Sequence, residues 1–150
     1  MNAESVNAVL KGVSNFGGIF DVEQLENVKI LSLPVTLIVN DKQHWIAISI
    51  DEEKIEIMDS IGQINNENLN IHLCRFLCAH AKGKNFIASP KLQSENSEDC
   101  GKYVISFIIY KSLTQKSLRH FLSIFTENFR KNSKNISKIF ETVKRLIAQF

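Results

Sequence analysis

The run Cys100 to Leu113, CGKYVISFIIYKSL, is apolar nearly all the way round a helix. A surface helix shows one apolar stripe, so a segment with almost no polar face belongs inside a domain, covered on several sides. The chain is therefore expected to fold around residues 100–113, with Cys100 opening the helix at the edge of the core. A helix N-terminus carries free amide groups and partial positive charge, which favour a thiolate and can bind an oxyanion.

The elements around this helix are short. Residues 30–39 read as an extended segment bent at Pro34, which cannot donate to a central ladder. His44 to Ile50 and Ile55 to Asp59 alternate in apolar character around the turn Asp51-Glu52-Glu53-Lys54, which predicts an antiparallel hairpin. Such a hairpin folds the chain in half and returns Asp59 to the end where His44 starts, within reach of an imidazole–carboxylate hydrogen bond. Leu69, Leu73, Phe76, Leu77 and His80 recur at helical spacing, predicting a helix over 67–82 capped by Gly83. Residues 85–89 read as a short strand, 90–99 as a polar irregular stretch holding Gln93, and 115–128 and 134–149 as two further amphipathic helices.

At 150 residues, 44% hydrophobic and 23% charged, the chain fits one globular domain over 1–150, with no apolar run of membrane-spanning length. The start MNAESVNAVLKGV lacks a basic n-region, an apolar core and a small-residue cleavage site, so a reducing intracellular compartment is expected. Three cysteines, Cys74, Cys78 and Cys100, are an odd number and form no disulfide framework. The net charge of +2 is divided unevenly. From residue 111 onward nine basic side chains, Lys111, Lys116, Arg119, Arg130, Lys131, Lys134, Lys138, Lys144 and Arg145, face only Glu127 and Glu141, giving +7 and leaving −5 on residues 1–110. A basic helical segment over 111–150 is a candidate nucleic-acid surface, and equally an ordinary solvated helix face.

Four residue types complete a thiol peptidase: Cys100 as nucleophile, His44 to take its proton, Asp59 to fix the imidazole tautomer, and Gln93 to meet a developing oxyanion. Each alone has a plainer reading, as a packed histidine or a small buried cysteine. Their joint order carries the inference. Trp45 is either a shield over His44 or a core tryptophan, and Gly101 either admits substrate or eases the turn into the helix. Gly17 and Gly18 either let an extended substrate pass or form a turn. His72, Cys74, Cys78 and His80 lie on one predicted helix, where positions two and six apart point away from each other, so no metal site is expected.

With those residues in view, the chain resembles the adenovirus-type cysteine endopeptidases, the adenain family, which share a clan with the SUMO and other ubiquitin-like-protein proteases. The resemblance rests on His44-Trp45 with an acid fifteen residues on, and on the stretch Gln93-Ser94-Glu95-Asn96-Ser97-Glu98-Asp99-Cys100-Gly101, with seven residues from Gln to Cys. Asn15-Phe16-Gly17-Gly18-Ile19-Phe20-Asp21 is similar to the segment that opens adenain-like domains. The aspartate in Met58-Asp59-Ser60 looks more like the SUMO-protease version of the third position.

The resemblance implies an α+β fold of papain-like type, a mixed, mostly antiparallel sheet packed by helices, with a buried helix starting at the nucleophile. It implies hydrolysis of peptide bonds near small residues or glycine through a thioester, acting on viral capsid and core precursors, with SUMO or ubiquitin-like deconjugation, or an inactive binding relative, as alternatives. A monomer is expected, with no metal or organic cofactor in the chemistry. Adenain is activated by DNA and by a viral peptide bound through a disulfide, so the resemblance implies activation by DNA, through the basic residues, or by a viral peptide; the position corresponding to the disulfide cysteine is Lys82, which cannot form that covalent link. The abundance of Asn, Lys and Ile fits an AT-rich source such as a virus, virophage or virus-like transposon, and implies a host cytoplasm, nucleus, viral factory or virion as the setting.

Overall fold

The computed structural model describes residues 2–65 and 69–148. Helix α1 (Ala3–Leu10) leads into strand β1 (Phe16–Asp21) and a 3-10 turn (Val22–Asn27); β2 (Val35–Asp41), β3 (His44–Ile50) and β4 (Lys54–Met58) follow, then α2 (Ile71–His80), β5 (Asn85–Ala88), α3 (Cys100–Thr114), α4 (Leu118–Leu122) and α5 (Phe129–Ala148). The sheet runs in chain order, β1-β2-β3-β4-β5. The two inner pairings, β2/β3 and β3/β4, are antiparallel, and the two outer ones are parallel. The α+β class is as expected; the sheet is evenly mixed because β1 and β5 each reach their neighbour by a crossover.

Strand β3 is buried at every position, which an alternating strand with one wet face would not be. Both faces of the sheet are covered. Trp45, Ala47, Ile38 and Met58 pack toward α3, whose Tyr103, Phe107 and Ile108 are in turn covered by α1, α4 and α5. Ile46, Ile48, Ile50, Ile55 and Ile57 pack the other way, against α2 and the 3-10 turn through Leu73, Phe76, Leu77, Val22 and Leu25. The apolar helix is thus the middle of one layer, with nine residues from Cys100 to Ile109 buried. Burying an aliphatic side chain on this scale contributes about 1.5–3 kcal/mol each.

Several elements differ from the sequence expectation. The strand expected over 30–39 begins only at Val35; Pro34 precedes it and the chain before it is irregular. The helix expected from 67 starts at Ile71, because the Asn70 side chain caps it by accepting from the His72 amide at 2.9 Å; residues 66–68 lie outside the described residues. Over 115–128 only one turn and a little more, α4, is helical. There the Asn132 side chain takes both the amide and the carbonyl of Thr126, diverting the backbone groups a helix would need. Helix α5 in compensation starts five residues earlier than expected, at Phe129; its expected last residue, 149, lies outside the described residues. β2 and β3 are joined by a two-residue turn in which Lys42 and Gln43 both take positive φ, 49° and 72°. This is the backbone twist a tight hairpin requires, adopted here without glycine.

Candidate active site

The hairpin brings His44 and Asp59 to one end, but not directly opposite each other. The last cross-strand pair of β3 and β4 is Ala47 with Met58, so Asp59 has already left the ladder. Its carboxylate is placed by the turn that follows. Oδ1 accepts from the Ile61 amide at 3.2 Å, and Oδ2 accepts from the amides of Gln63 at 2.7 Å and Ile64 at 3.3 Å. The Asp59 backbone exchanges two 2.7 Å hydrogen bonds with the Ser89 hydroxyl, which ties the turn to the end of β5. Fully buried and held this way, Asp59 Oδ1 meets His44 Nε2 at 2.7 Å. Three backbone donors and the ring fix the position of the carboxylate.

The pairing through Nε2 leaves the opposite nitrogen for the thiol. His44 Nδ1 is buried without a hydrogen-bond partner, and Cys100 at the head of α3 lies close enough to act on the ring. The contact perturbs both groups while stopping short of a formed hydrogen bond at Nδ1. Burial alone would lower the His44 pKa, but Asp59 and Cys100 overcome it and raise it to about 9. Burial pushes the Cys100 thiol up; the His44 ring and the backbone amides of Trp45 and Gly101 outweigh that and bring it below its usual value. Both shifts favour a thiolate beside an imidazolium, the reactive state of a cysteine nucleophile.

His44, Trp45, Cys100 and Gly101 line a polar cleft, joined by the Lys42-Gln43 turn. Trp45 is 8% exposed and also packs in the core layer beneath α3, so its two sequence readings are both physical facts of one side chain. Gln93 is not among the lining residues. It is 3% exposed, its Oε1 accepting from the Ser60 hydroxyl at 2.8 Å and its Nε2 donating to the Ser97 carbonyl at 3.0 Å, which leaves one amide hydrogen unspent.

Gly17 and Gly18 lie away from this cleft. Gly17 occupies the bulge of β1, where a Cβ would come within 2.6 Å of Leu37 Cδ2 and Val35 Cγ2, and Gly18, at φ 120°, lines a separate shallow depression beside α1. Among the basic candidates, Lys111 turns inward onto the buried Glu56, and Lys144 pairs with Glu141 at 2.6 Å. Lys116, Arg119, Arg130, Lys131, Lys134, Lys138 and Arg145 are exposed, with Lys131, Lys134, Lys138 and Arg145 following one outer edge of α5. Among the described residues no group of three or more His, Cys, Asp or Glu side chains is placed to hold a metal, and no helix is long and apolar enough to cross a membrane.

Sequence reasoning missed Ser60, Ser89, Ser97 and Lys102, which support or line the site: Ser60 and Ser89 act through contacts about thirty residues away in sequence, Lys102 reaches Ser137 as well as Asp99, and Ser97 acts through its backbone carbonyl and a short turn that carries no motif. Asn132 left one legible signal: it stands in register with the apolar stripe of Ile136, Ile139, Phe140 and Val143, where a polar residue is out of place.

Residues 4–145 match the Ulp1 protease family, C-terminal catalytic domain. The chain belongs to the Ulp1 protease family. It is therefore a cysteine protease domain of the Ulp1 type. No curated protein sequence matches it. Among solved structures, the central domain of the uncharacterized Lpg1148 protein from Legionella pneumophila superposes with a TM-score of 0.60 at 10% identity, covering 100% of this chain and 98% of that one; this likeness is one of fold. A structure of the SUMO protease Ulp1 with its catalytic cysteine oxidized to a sulfonic acid aligns at 16% identity and a TM-score of 0.49, over 98% of this chain and 79% of that one.

Proposed function

We propose that this Ulp1-family protease cleaves the bond after a glycine at the end of an extended tail, through a thioester on Cys100, and that the tail belongs to a ubiquitin-like modifier. The observation that carries the chemistry is the buried 2.7 Å His44–Asp59 pair with the lowered Cys100 thiol on the far side of the ring. The Cys100 sulfur attacks the scissile carbonyl and its negative charge moves to the oxygen. The Cys100 amide and the remaining Gln93 hydrogen are the donors for that oxygen, at a helix N-terminus where such charge is favoured. As the intermediate collapses, the carbon–nitrogen bond breaks and His44 gives its proton to the leaving amine. Water then attacks the thioester, His44 accepts a proton, and the thiolate leaves. No metal or organic cofactor enters these steps. The family match favours a modifier as substrate.

Precursor processing in a virus or virus-like element is the second reading. Two observations favour it: the seven-residue step from Gln93 to Cys100 that resembles adenain, and the exposed basic edge of α5, suited to a nucleic-acid activator. SUMO- and ubiquitin-type C-terminal probes, and a fluorogenic peptide library with glycine near the cut, test both readings in wild type and Cys100→Ala, with and without DNA. Modifier cleavage lost in Cys100→Ala supports the first reading. Peptide cleavage stimulated by DNA and abolished by salt, with the modifier probes silent, replaces it with the second.

A further inference from the structure

Two neighbouring residues of α5 hold both ends of the segment that carries Gln93 and Cys100. At one end, the fully buried Asn132 donates from Nδ2 to the Leu92 carbonyl at 3.0 Å, one residue before Gln93. At the other, the Ser133 hydroxyl donates to Asp99 Oδ2 at 2.8 Å, one residue before Cys100. Asp99 Oδ1 pairs with Lys102 Nζ at 2.8 Å, and that ammonium also donates to Ser137, one turn along α5, at 3.1 Å. Between the two ends, residues 94–98 form no helix or strand, and four of the five are exposed.

Packing does not account for these choices. An amide in the apolar stripe of α5 is favourable only when every polar atom is matched. Asn132 achieves that with Leu92 and with the Thr126 amide and carbonyl, at 2.9 and 2.6 Å, all outside its own helix. An oxyanion needs two donors converging on one point, and an exposed irregular segment cannot fix that convergence by itself.

We infer that Asn132 and Ser133 are positioning residues for the reaction: α5 sets the separation and orientation of Gln93 and Cys100. The inference rests on the roles proposed above for those two residues. It follows that α5 acts on the tetrahedral step, through the direction in which the Cys100 amide and Gln93 point, and leaves the approach of the thiol to His44, set by β3, the Asp59 turn and the start of α3, largely alone.

Two reagents on the full chain separate these effects, each corrected by the rate of Cys100→Ala to remove Cys74 and Cys78. Iodoacetamide alkylation needs a thiolate but forms no oxyanion, whereas acylation by 4-nitrophenyl acetate passes through one. In folded Ser133→Ala and Asn132→Asp, acylation is expected to fall about tenfold to a hundredfold while alkylation stays within about twofold, and Ser133→Thr is expected to restore the rate. Wild-type acylation in folded variants overturns the inference. So does a parallel loss of alkylation, which would make α5 a general support of the core. Should Asn132→Asp not fold, the Ser133 pair decides alone. Gln93→Ala tests the underlying reading separately: if it leaves acylation intact while Ser133→Ala slows it, the oxyanion role of Gln93 is lost and the hold of α5 on Cys100 stands.

Discussion

Replacing Asp59 by Asn changes one oxygen into an NH2 group and nothing else in shape, yet no orientation of the new amide fits. Oδ1 faces His44 Nε2 and the Ile61 amide, and Oδ2 faces the amides of Gln63 and Ile64, so either rotamer turns a donor toward two donors. The less damaging choice keeps oxygen on the rigid backbone side and presents NH2 to the ring. His44 then carries its proton on Nδ1, the nitrogen that must receive the Cys100 proton, and cannot act as base. A wrong tautomer of this kind lowers kcat/KM by roughly 10³- to 10⁴-fold, or about 4–5.5 kcal/mol. The ring also loses the Asp59 share of what holds its pKa at about 9 rather than 6.5, a shift on the order of 3 kcal/mol between its two protonation states that Asp59 and Cys100 produce together. Because the folded value is raised, this stabilisation is complete below pH 6.5 and disappears as pH rises through about 9. The stability gap between wild type and Asp59→Asn should therefore narrow in alkaline buffer. The assay is kcat/KM on the cleaved probe, with the pH dependence of Cys100 alkylation and urea unfolding at pH 6 and pH 10. A variant within tenfold of wild type, with an unmoved alkaline limb, would refute the orienting role of Asp59.

Three further outcomes are expected. Cys100 alkylation in wild type should rise with pH at a midpoint below that of a free thiol, and kcat/KM should decline above about pH 9 as His44 loses its proton; stopped-flow alkylation and pH–rate profiles measure both. Glu56, 1% exposed, accepts from Lys111 and from the Leu118 amide at the start of α4, so Glu56→Ala should lose about 3 kcal/mol of stability in urea titration. Its kcat per folded molecule should hold. Gly17→Ala places a methyl 2.6 Å from Leu37 and Val35 and should destabilise by about 1–3 kcal/mol, lowering the thermal midpoint without changing Cys100 alkylation.

Much of the architecture could be read from local patterns, because periodicity and turn chemistry are local. The apolar run at 100–113 announced a buried helix, and the 44–50 and 55–59 alternation announced the hairpin that returns an acid toward His44. The parts that went astray are those where a distant residue overrides a local preference. The 115–128 pattern is amphipathic, but Asn132, beyond its end, captures Thr126 and leaves α4 short. Strand β1, with Gly17 and Gly18 at its start, acquires its conformation from parallel pairing with β2.

The candidate site divides in the same way. By itself the sequence determined which residue types stand in what order, an imidazole, an acid, an amide and a thiol at a helix start, because chemical identity and helix polarity need no partner. Tertiary structure alone decided which nitrogen of His44 faces the acid, that Gln93 is anchored by the Ser60 hydroxyl and spends one amide hydrogen on Ser97, that Lys111 serves Glu56, and that α5 grips both flanks of residues 93–100. All but the local Gln93–Ser97 bond join segments far apart in the chain, and their existence depends on distances that only the packed sheet and helices fix.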